Sequence, residues 1–99
     1  MAGQRKTLIF LQKPIEFIQM ISDAQIRAAR GLLKWTQAML AHAAGISVVT
    51  LHMIESGNVD PRVSTLAAIQ AALEKAGVEF IGSAEEGLGV RFRARRRRR

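Results

Sequence analysis

The feature that most constrains this chain is the stretch of residues 37–57, QAMLAHAAGISVVTLHMIESG, in which small, apolar and turn-forming residues recur at fixed spacing. Ala41 lies about one helical turn before Gly45, so two helices can approach each other closely there. Gly45 can adopt a left-handed backbone at almost no cost and can therefore end a helix abruptly. Ser47 follows as a suitable N-cap for the next helix. The stretch predicts two short helices that cross tightly around a turn.

The apolar residues of these two helices are spaced so that they face inward together, and the opposite side of the second helix is left pointing outward. Any helical hairpin can place Gly and Ala between two amphipathic helices. The joint spacing of the small and apolar residues behind Gln37 favours a helix-turn-helix, whose second helix enters the major groove of DNA. The inward positions are Leu40, Ala44, Ile46, Leu51 and Ile54.

Further residues around this motif carry a family resemblance: Arg30 ahead of it, the triplet WTQ at residues 35–37, the run LAHAAG at 40–45 and the run IESG at 54–57, then Pro61, Arg62 and a leucine-containing helix. From about residue 21 to about residue 76 the chain resembles the lambda-repressor-like (XRE, or Cro and phage-repressor) DNA-binding domains. The expected fold class is mainly α, with a lambda-repressor-like helix-turn-helix domain of four to five short helices and a C-terminal β-hairpin.

Capping residues and glycines predict where the elements begin and end. Alternating apolar and polar residues at 78–81 and 88–92 predict the hairpin, with Gly82, Ser83, Gly87 and Gly89 separating its strands. An edge of this hairpin could pair with residues 7–11, TLIFL, or with a second subunit. The predicted helices run from a cap at Ser22 or Asp23 to near Lys34, from Thr36 to Ala44, from Ser47 to Gly57, and from a cap at Ser64 to Gly77.

Four segments are expected along the chain: an N-terminal extension at 1–19, the helix-turn-helix domain at 20–77, the β-hairpin at 78–93 and a basic disordered tail at 94–99. The extension is either a β-prone added strand or an untranslated stretch ahead of a start at Met20. These two alternatives are left open, because the helical domain needs nothing in front of Ile21.

The net charge of +7 is unevenly distributed. Residues 20–94 contain seven basic and seven acidic side chains, so the excess lies near the N-terminus and in the terminal run. Charge therefore argues for a binding tail more than for a binding domain. The tail is predicted to make sequence-independent phosphate contacts, through Arg95, Arg96, Arg97, Arg98 and Arg99.

The resemblance also implies roles for single residues. Gln37, first in its helix, is expected at a backbone phosphate, where the helix N-terminus also favours an anion. Asn58 and Arg62 are the expected clamps on the next phosphates, and Arg30 and Glu55 are expected to form a structural ion pair. The positions that would face base edges are Ser47, Val48, Val49, Thr50 and His52.

Val48 and Val49 depart from the family pattern, which commonly has Arg, Gln, Asn or Lys at such positions. Valine cannot form bidentate hydrogen bonds to guanine or adenine, but it can contact the methyl group of thymine. The sequence thus predicts a site that favours A/T, with shallow direct readout supplemented by DNA shape. The alternative is that both valines and Met53 pack against another protein.

Other classes of function find little support in the sequence. There is no cysteine, which excludes disulfides and thiolate metal sites and fits a reducing cytoplasm. No apolar run approaches the roughly 20 residues of a membrane span. His42 and His52 have no second ligand at metal spacing and the carboxylates are scattered, so we expect no enzyme, no metal and no cofactor.

The sequence-based hypothesis is a cytoplasmic transcriptional regulator that binds double-stranded operator DNA as a homodimer, most simply as a repressor. The dimer is inferred from the usual need for two half-sites, because one small reading helix would bind weakly. One alternative is an antitoxin that binds a toxin through the hairpin or the N-terminal segment. Another is a protein-interaction module that no longer reads DNA.

Overall fold

Four helices followed by a two-stranded antiparallel hairpin make up the fold in a computed structural model, which describes residues 21–94. This confirms the expected mainly α class with a C-terminal hairpin. The predicted features at residues 1–19 and 95–99 lie outside the described residues. The helices are Asp23–Leu33 (α1), Gln37–Ala44 (α2), Val48–Glu55 (α3) and Val63–Lys75 (α4), and the strands are Val78–Ser83 (β1) and Gly87–Phe92 (β2).

A capping box starts α1 and ties it to the hairpin. The Ser22 Oγ accepts a hydrogen bond from the Gln25 backbone N–H at 3.1 Å, and the Gln25 Oε1 accepts one from the Ser22 N–H at 2.9 Å. The Gln25 Nε2 also donates to the Gly89 carbonyl at 2.8 Å. Gln25 is only 4% exposed, and its amide nitrogen joins the first helix to β2 while its amide oxygen completes the cap.

The turn between α2 and α3 follows the predicted chemistry. Thr36 caps α2, Gly45 ends it with φ at +75°, and Ser47 caps α3. The two helices are bent by 112° relative to each other, within the range of a helix-turn-helix. Within residues 21–94 no single helix is long and apolar enough to cross a membrane. The bent pair of α2 and α3 reaches the length and mean hydropathy of a membrane span only when its two helices are counted together.

Two predicted helix boundaries were wrong. Helix α4 begins at Val63 with Arg62 as its N-cap, so Ser64 lies inside the first turn and does not cap it. Arg62 has the extended backbone of an N-cap, and its carbonyl already accepts from the Leu66 N–H at 3.0 Å. Helix α3 ends at Glu55, and Gly57, with φ at +79°, lies in the turn beyond it.

The predicted separators of the hairpin strands were also wrong. Gly82 and Ser83 belong to β1, Gly87 and Gly89 to β2, and residues 84–86 form the connection. A Cβ on Gly82 would lie 1.9 Å from the Gly87 carbonyl oxygen, and the φ of Gly82 is +94°. Glycine is thus needed here because the two paired strands approach each other closely, and not because the chain turns at this residue.

The core lies where α1, α2, α3 and α4 meet, and β1 closes it. Ala41 is 1% exposed where α2 packs into the core, which explains the need for a small side chain there. Phe80 and Val90, a cross-strand pair of the hairpin, pack against this core. Its fully buried large side chains are Ile26, Leu40, Leu51, Ile69, Leu73 and Val78.

Candidate nucleic-acid interface

Helix α3 has one buried and one exposed side. Leu51 is fully buried and Ile54 is 4% exposed, so these two side chains fix the helix to the core. Val49 is 68% exposed and Val48 44% exposed, although both are apolar. The predicted reading positions Thr50 and His52 are exposed as well. The fold therefore holds α3 by one side and leaves the other side exposed.

Ser47 and Thr50 are joined at the start of this exposed side. The Ser47 Oγ accepts from the Thr50 N–H at 3.0 Å and donates to the Thr50 Oγ1 at 2.9 Å. Ser47 is thus occupied as the N-cap of α3, whereas the Thr50 hydroxyl keeps its own hydrogen as a donor. Of the two predicted readers, Thr50 has the hydrogen-bonding group that can still act outward.

An ion pair between α1 and α3 lies beneath the exposed side. The Arg30 guanidinium donates from Nε to the Glu55 Oε2 at 2.8 Å and from its second amino group to Oε1 at 2.9 Å. Its third donor reaches the Trp35 carbonyl at 2.9 Å. The Glu55 side chain is 3% exposed and that of Arg30 is 21% exposed. This bidentate geometry fixes both the position and the orientation of the two helices.

Gln37 joins the same carboxylate. Its Nε2 donates to the Glu55 Oε1 at 3.0 Å, so the first side chain of α2 is held by the end of α3. Burial raises the pKa of Glu55, but the hydrogen bonds from Arg30 and Gln37 and the neighbouring arginine charges more than offset it. The net pKa of Glu55 therefore lies below its ordinary value. The carboxylate stays ionised and keeps both donors in place.

A shallow depression of about 240 Å³ opens beside this network, between α1, the start of α2 and the end of α3. Arg27, Gln37 and His52 are among the residues that line it, so the structure brings two of the predicted DNA contacts together here. Arg27 donates to Asp23 at 3.0 Å and to the backbone carbonyl of Glu55. The hydrogen bond from Arg27 lowers the pKa of Asp23.

Arg27 was not among the predicted DNA contacts. Its three-residue spacing from Arg30 places both on one side of α1, and this was the signal available in the sequence. The contact between Gln37 and Glu55 was also missed. No local pattern links residues eighteen positions apart, and only the crossing of α2 and α3 brings them together.

The other predicted contacts lie beyond α3. Asn58 is exposed in the connection to α4, where its backbone N–H donates to the Met53 carbonyl at 3.3 Å. Arg62 is exposed at the N-cap of α4. Both follow α3 along the chain, whereas the predicted phosphate contacts of Arg95 to Arg99 fall outside the described residues. Among residues 21–94, no three His, Asp or Glu side chains are grouped to hold a metal ion.

A comparison with protein families identifies the same architecture. A family model described as helix-turn-helix matches residues 26–80, more than half of the chain. The match covers α1 from Ile26 onward and the whole of α2 and α3, including Arg30 and Glu55 of the ion pair. No curated protein matches the chain. The family consists of DNA-binding regulators and is not a family of enzymes. This protein therefore belongs to the lambda-repressor-like helix-turn-helix family of DNA-binding transcriptional regulators.

Proposed function

We propose that this regulator is a repressor that binds operator DNA as a homodimer, with α3 in the major groove, and occludes a promoter. The observation that carries the proposal is the exposed side of α3. Val48, Val49 and His52 are presented outward by a helix whose other side is fixed in the core, and none of the three belongs to that core. A helix that is fixed by its buried side and exposes the other side is suited to contacting base edges in the major groove.

Phosphate contacts in this proposal come from the start of α2. The unpaired N–H groups of its first turn and the positive end of its dipole favour an anion. Gln37 stands there with its amide oriented by Glu55, and Arg27 and His52 line the adjoining depression. A phosphate in that depression would set the depth and angle at which α3 enters the groove.

Base contacts in this proposal come from Val48, Val49 and Thr50. The two valines contact thymine methyl groups, and the Thr50 hydroxyl donates to a base acceptor. Such contacts discriminate less than bidentate Arg or Gln contacts, so the preferred site is rich in A/T and is read partly through its shape.

A weak half-site explains why we propose a dimer. Two copies on half-sites about 34 Å apart would each add their own base contacts, so that one weak reading helix per subunit is sufficient. The arginines at residues 95–99 would add affinity for any duplex. Each neutralised phosphate contributes about 0.9 to the salt dependence of binding, so replacing all five arginines by glutamine should reduce the slope by several units.

The experiment is duplex binding followed by fluorescence anisotropy over a range of salt concentrations, with the upstream region of the gene and a scrambled duplex of equal composition. The V48A/V49A variant should lose about tenfold or more in affinity for the preferred duplex, as expected for roughly 1.4 kcal/mol of lost contact, and little for scrambled DNA. V63A is the matched control, because Val63 is 41% exposed, like Val48, but lies on α4. Site selection from random duplexes that returned a sharp G-rich consensus would contradict the proposed base contacts.

One observation favours a second candidate, a protein-interaction module. Val48, Val49 and Met53, which is 40% exposed, place three apolar side chains on the presented side of α3. An apolar surface of this kind also suits a protein partner. Absence of any duplex preference, together with salt-insensitive capture of a partner protein that V48A/V49A abolishes, would favour this reading. If that partner were a toxin encoded next to the gene, the protein would be an antitoxin.

A further inference from the structure

The outer edge of β2 has no strand beside it in the part of the chain that the structure describes. The Arg93 backbone N–H donates to the Gly77 carbonyl at 2.7 Å, which fixes the alternation of hydrogen-bonded and non-hydrogen-bonded pairs along the hairpin. Leu88, Val90 and Phe92 belong to non-hydrogen-bonded pairs, so their backbone N–H and C=O groups point away from β1. Among the described residues these groups have no backbone partner. β2 therefore presents a row of unpaired donors and acceptors, to which another strand can add.

The same three residues of β2 form an apolar row that is incompletely covered. Val90 packs against the core, but Leu88 is 43% exposed and Phe92 is 54% exposed. On β1, by contrast, Val78, which pairs with Phe92, is fully buried. β2 contains no proline and its pairing with β1 is continuous, so it lacks two of the features that commonly protect an edge strand, a proline and a bulge. The edge of β2 is thus both apolar and open.

The residues of β2 are complementary to themselves when two copies of the strand run antiparallel. Leu88 and Phe92 lie at equal distances along the strand from Val90, so a two-fold axis at Val90 places Leu88 of each copy opposite Phe92 of the other. In that register the outward backbone groups of all three residues meet their counterparts in hydrogen-bonded pairs. A shift by one residue would instead place these groups opposite backbone groups that already bond to β1. The strand therefore matches a second copy of itself in a defined register.

Charges at the two ends of β2 favour the antiparallel direction. Glu85 and Glu86 precede the strand, in the connection from β1, whereas Arg91 and Arg93 lie at its other end. Antiparallel pairing brings the acidic end of each copy beside the basic end of the other. Parallel pairing would bring like charges together, which is unfavourable. The charge pattern thus agrees with the apolar pattern on a two-fold arrangement.

We propose that β2 pairs antiparallel with β2 of a second copy of this chain, about a two-fold axis at Val90, so that the two hairpins form one four-stranded sheet. This interface rests on the homodimer of the proposed function and names the surface that forms it. The hairpin packs chiefly against α1 and α4, so its free edge is built apart from the exposed side of α3. Joining two hairpins also replaces two-stranded sheets, which are marginally stable by themselves, with a larger one.

Charge variants of the full chain test the proposal by sedimentation equilibrium without DNA. L88K/F92K places like charges opposite each other twice across the two-fold axis, so the dissociation constant of the dimer should rise by about tenfold or more. L88K/F92E places opposite charges at the same positions and should dimerise more tightly than L88K/F92K. V59K/V63K adds the same net charge as L88K/F92K at residues that are 37% and 41% exposed outside the hairpin, and it should leave the dissociation constant unchanged. Circular dichroism checks that each variant is folded.

Crosslinking measures the register directly. The protein has no cysteine, so L88C and F92C each contain a single thiol. When the two variants are mixed under reducing conditions and then oxidised, mixed disulfide dimers should dominate, because the two Cα atoms would lie about 5.5 Å apart in a hydrogen-bonded pair. Either variant alone should form far less disulfide, since the two-fold axis would separate its thiols by four residues of strand, about 13 Å.

Three results would overturn the proposed interface: a monomeric protein, a dimer that L88K/F92K leaves intact, and an absence of any excess of mixed disulfides. None of them bears on the DNA contacts of α3, which the anisotropy experiment measures separately. Conversely, a dimer that L88K/F92K weakens and that L88K/F92E partly restores would support the interface. It would do so even if the protein showed no preference for any duplex, a result that would contradict the proposed operator binding alone.

Discussion

Replacing Arg30 by methionine tests whether the ion pair with Glu55 holds the domain together. The change keeps an apolar stem on α1 but removes two hydrogen bonds to Glu55 and one to the Trp35 carbonyl. It strands a carboxylate that is 3% exposed and that keeps, within residues 21–94, only the Gln37 side chain as a side-chain donor. Breaking a buried pair in this way costs about 3 to 5 kcal/mol. Because Arg30 is 21% exposed, we expect the lower end of that range.

The free energy of unfolding is measured by urea denaturation followed by circular dichroism. For a domain of this size a loss of about 3 kcal/mol corresponds to a fall in the thermal midpoint of roughly 12 to 24 °C. The matched control is R91M, which breaks the cross-strand pair of Arg91 with Glu79. Those side chains are 61% and 43% exposed, so the control should lose no more than about 1 kcal/mol.

A double variant, R30M/E55M, separates the stranded charge from the lost packing. With the carboxylate gone, two apolar side chains replace the pair, and most of the lost stability should return. Two results would refute the reasoning. One is an R30M variant as stable as R91M, and the other is a double variant that is less stable than R30M alone.

Three further predictions concern stability. The folded pKa of Glu55 lies below its unfolded value of about 4.3, so its ionised form stabilises the folded domain. This stabilisation is complete above that pH and is lost as the pH falls through the folded pKa. E55Q should therefore flatten the acid side of a plot of urea midpoint against pH. G82A should destabilise the hairpin by more than the roughly 1 kcal/mol of a positive φ, because its Cβ would meet the Gly87 carbonyl, and amide exchange in β1 and β2 should report this. S47A should cost about 1 kcal/mol in thermal denaturation, since it removes the acceptor for the Thr50 N–H.

The sequence predicted those parts of the fold that depend on local chemistry. The caps Ser22, Thr36 and Ser47 and the left-handed Gly45 act through neighbours within three or four residues, so their effect can be read along the chain. Prediction failed where tertiary pairing decided. Gly82 was predicted to separate the strands, yet it lies within β1, where it pairs with Leu88 and where a Cβ would meet the Gly87 carbonyl oxygen.

The candidate site divides in the same way. Family resemblance placed Arg30 opposite Glu55, and the structure has that pair. It gave no hint that Gln37 shares the same carboxylate or that Arg27 borders the depression beside it, because both depend on how α1, α2 and α3 cross. Occupation of the Ser47 hydroxyl by Thr50 likewise follows from side-chain geometry and not from residue type.

Glu55 connects the stability of the domain with its proposed grip on DNA. It fixes α1 through Arg30 and orients Gln37 at the start of α2, so replacing Glu55 alone should affect both. Val48 and Val49 are under no such constraint, because neither belongs to the core. In the proposed complex, replacing them should alter which bases α3 prefers while the helix stays in place. The residues that reveal the family are therefore those that build the fold, and the residues that would select an operator are those that the fold leaves free.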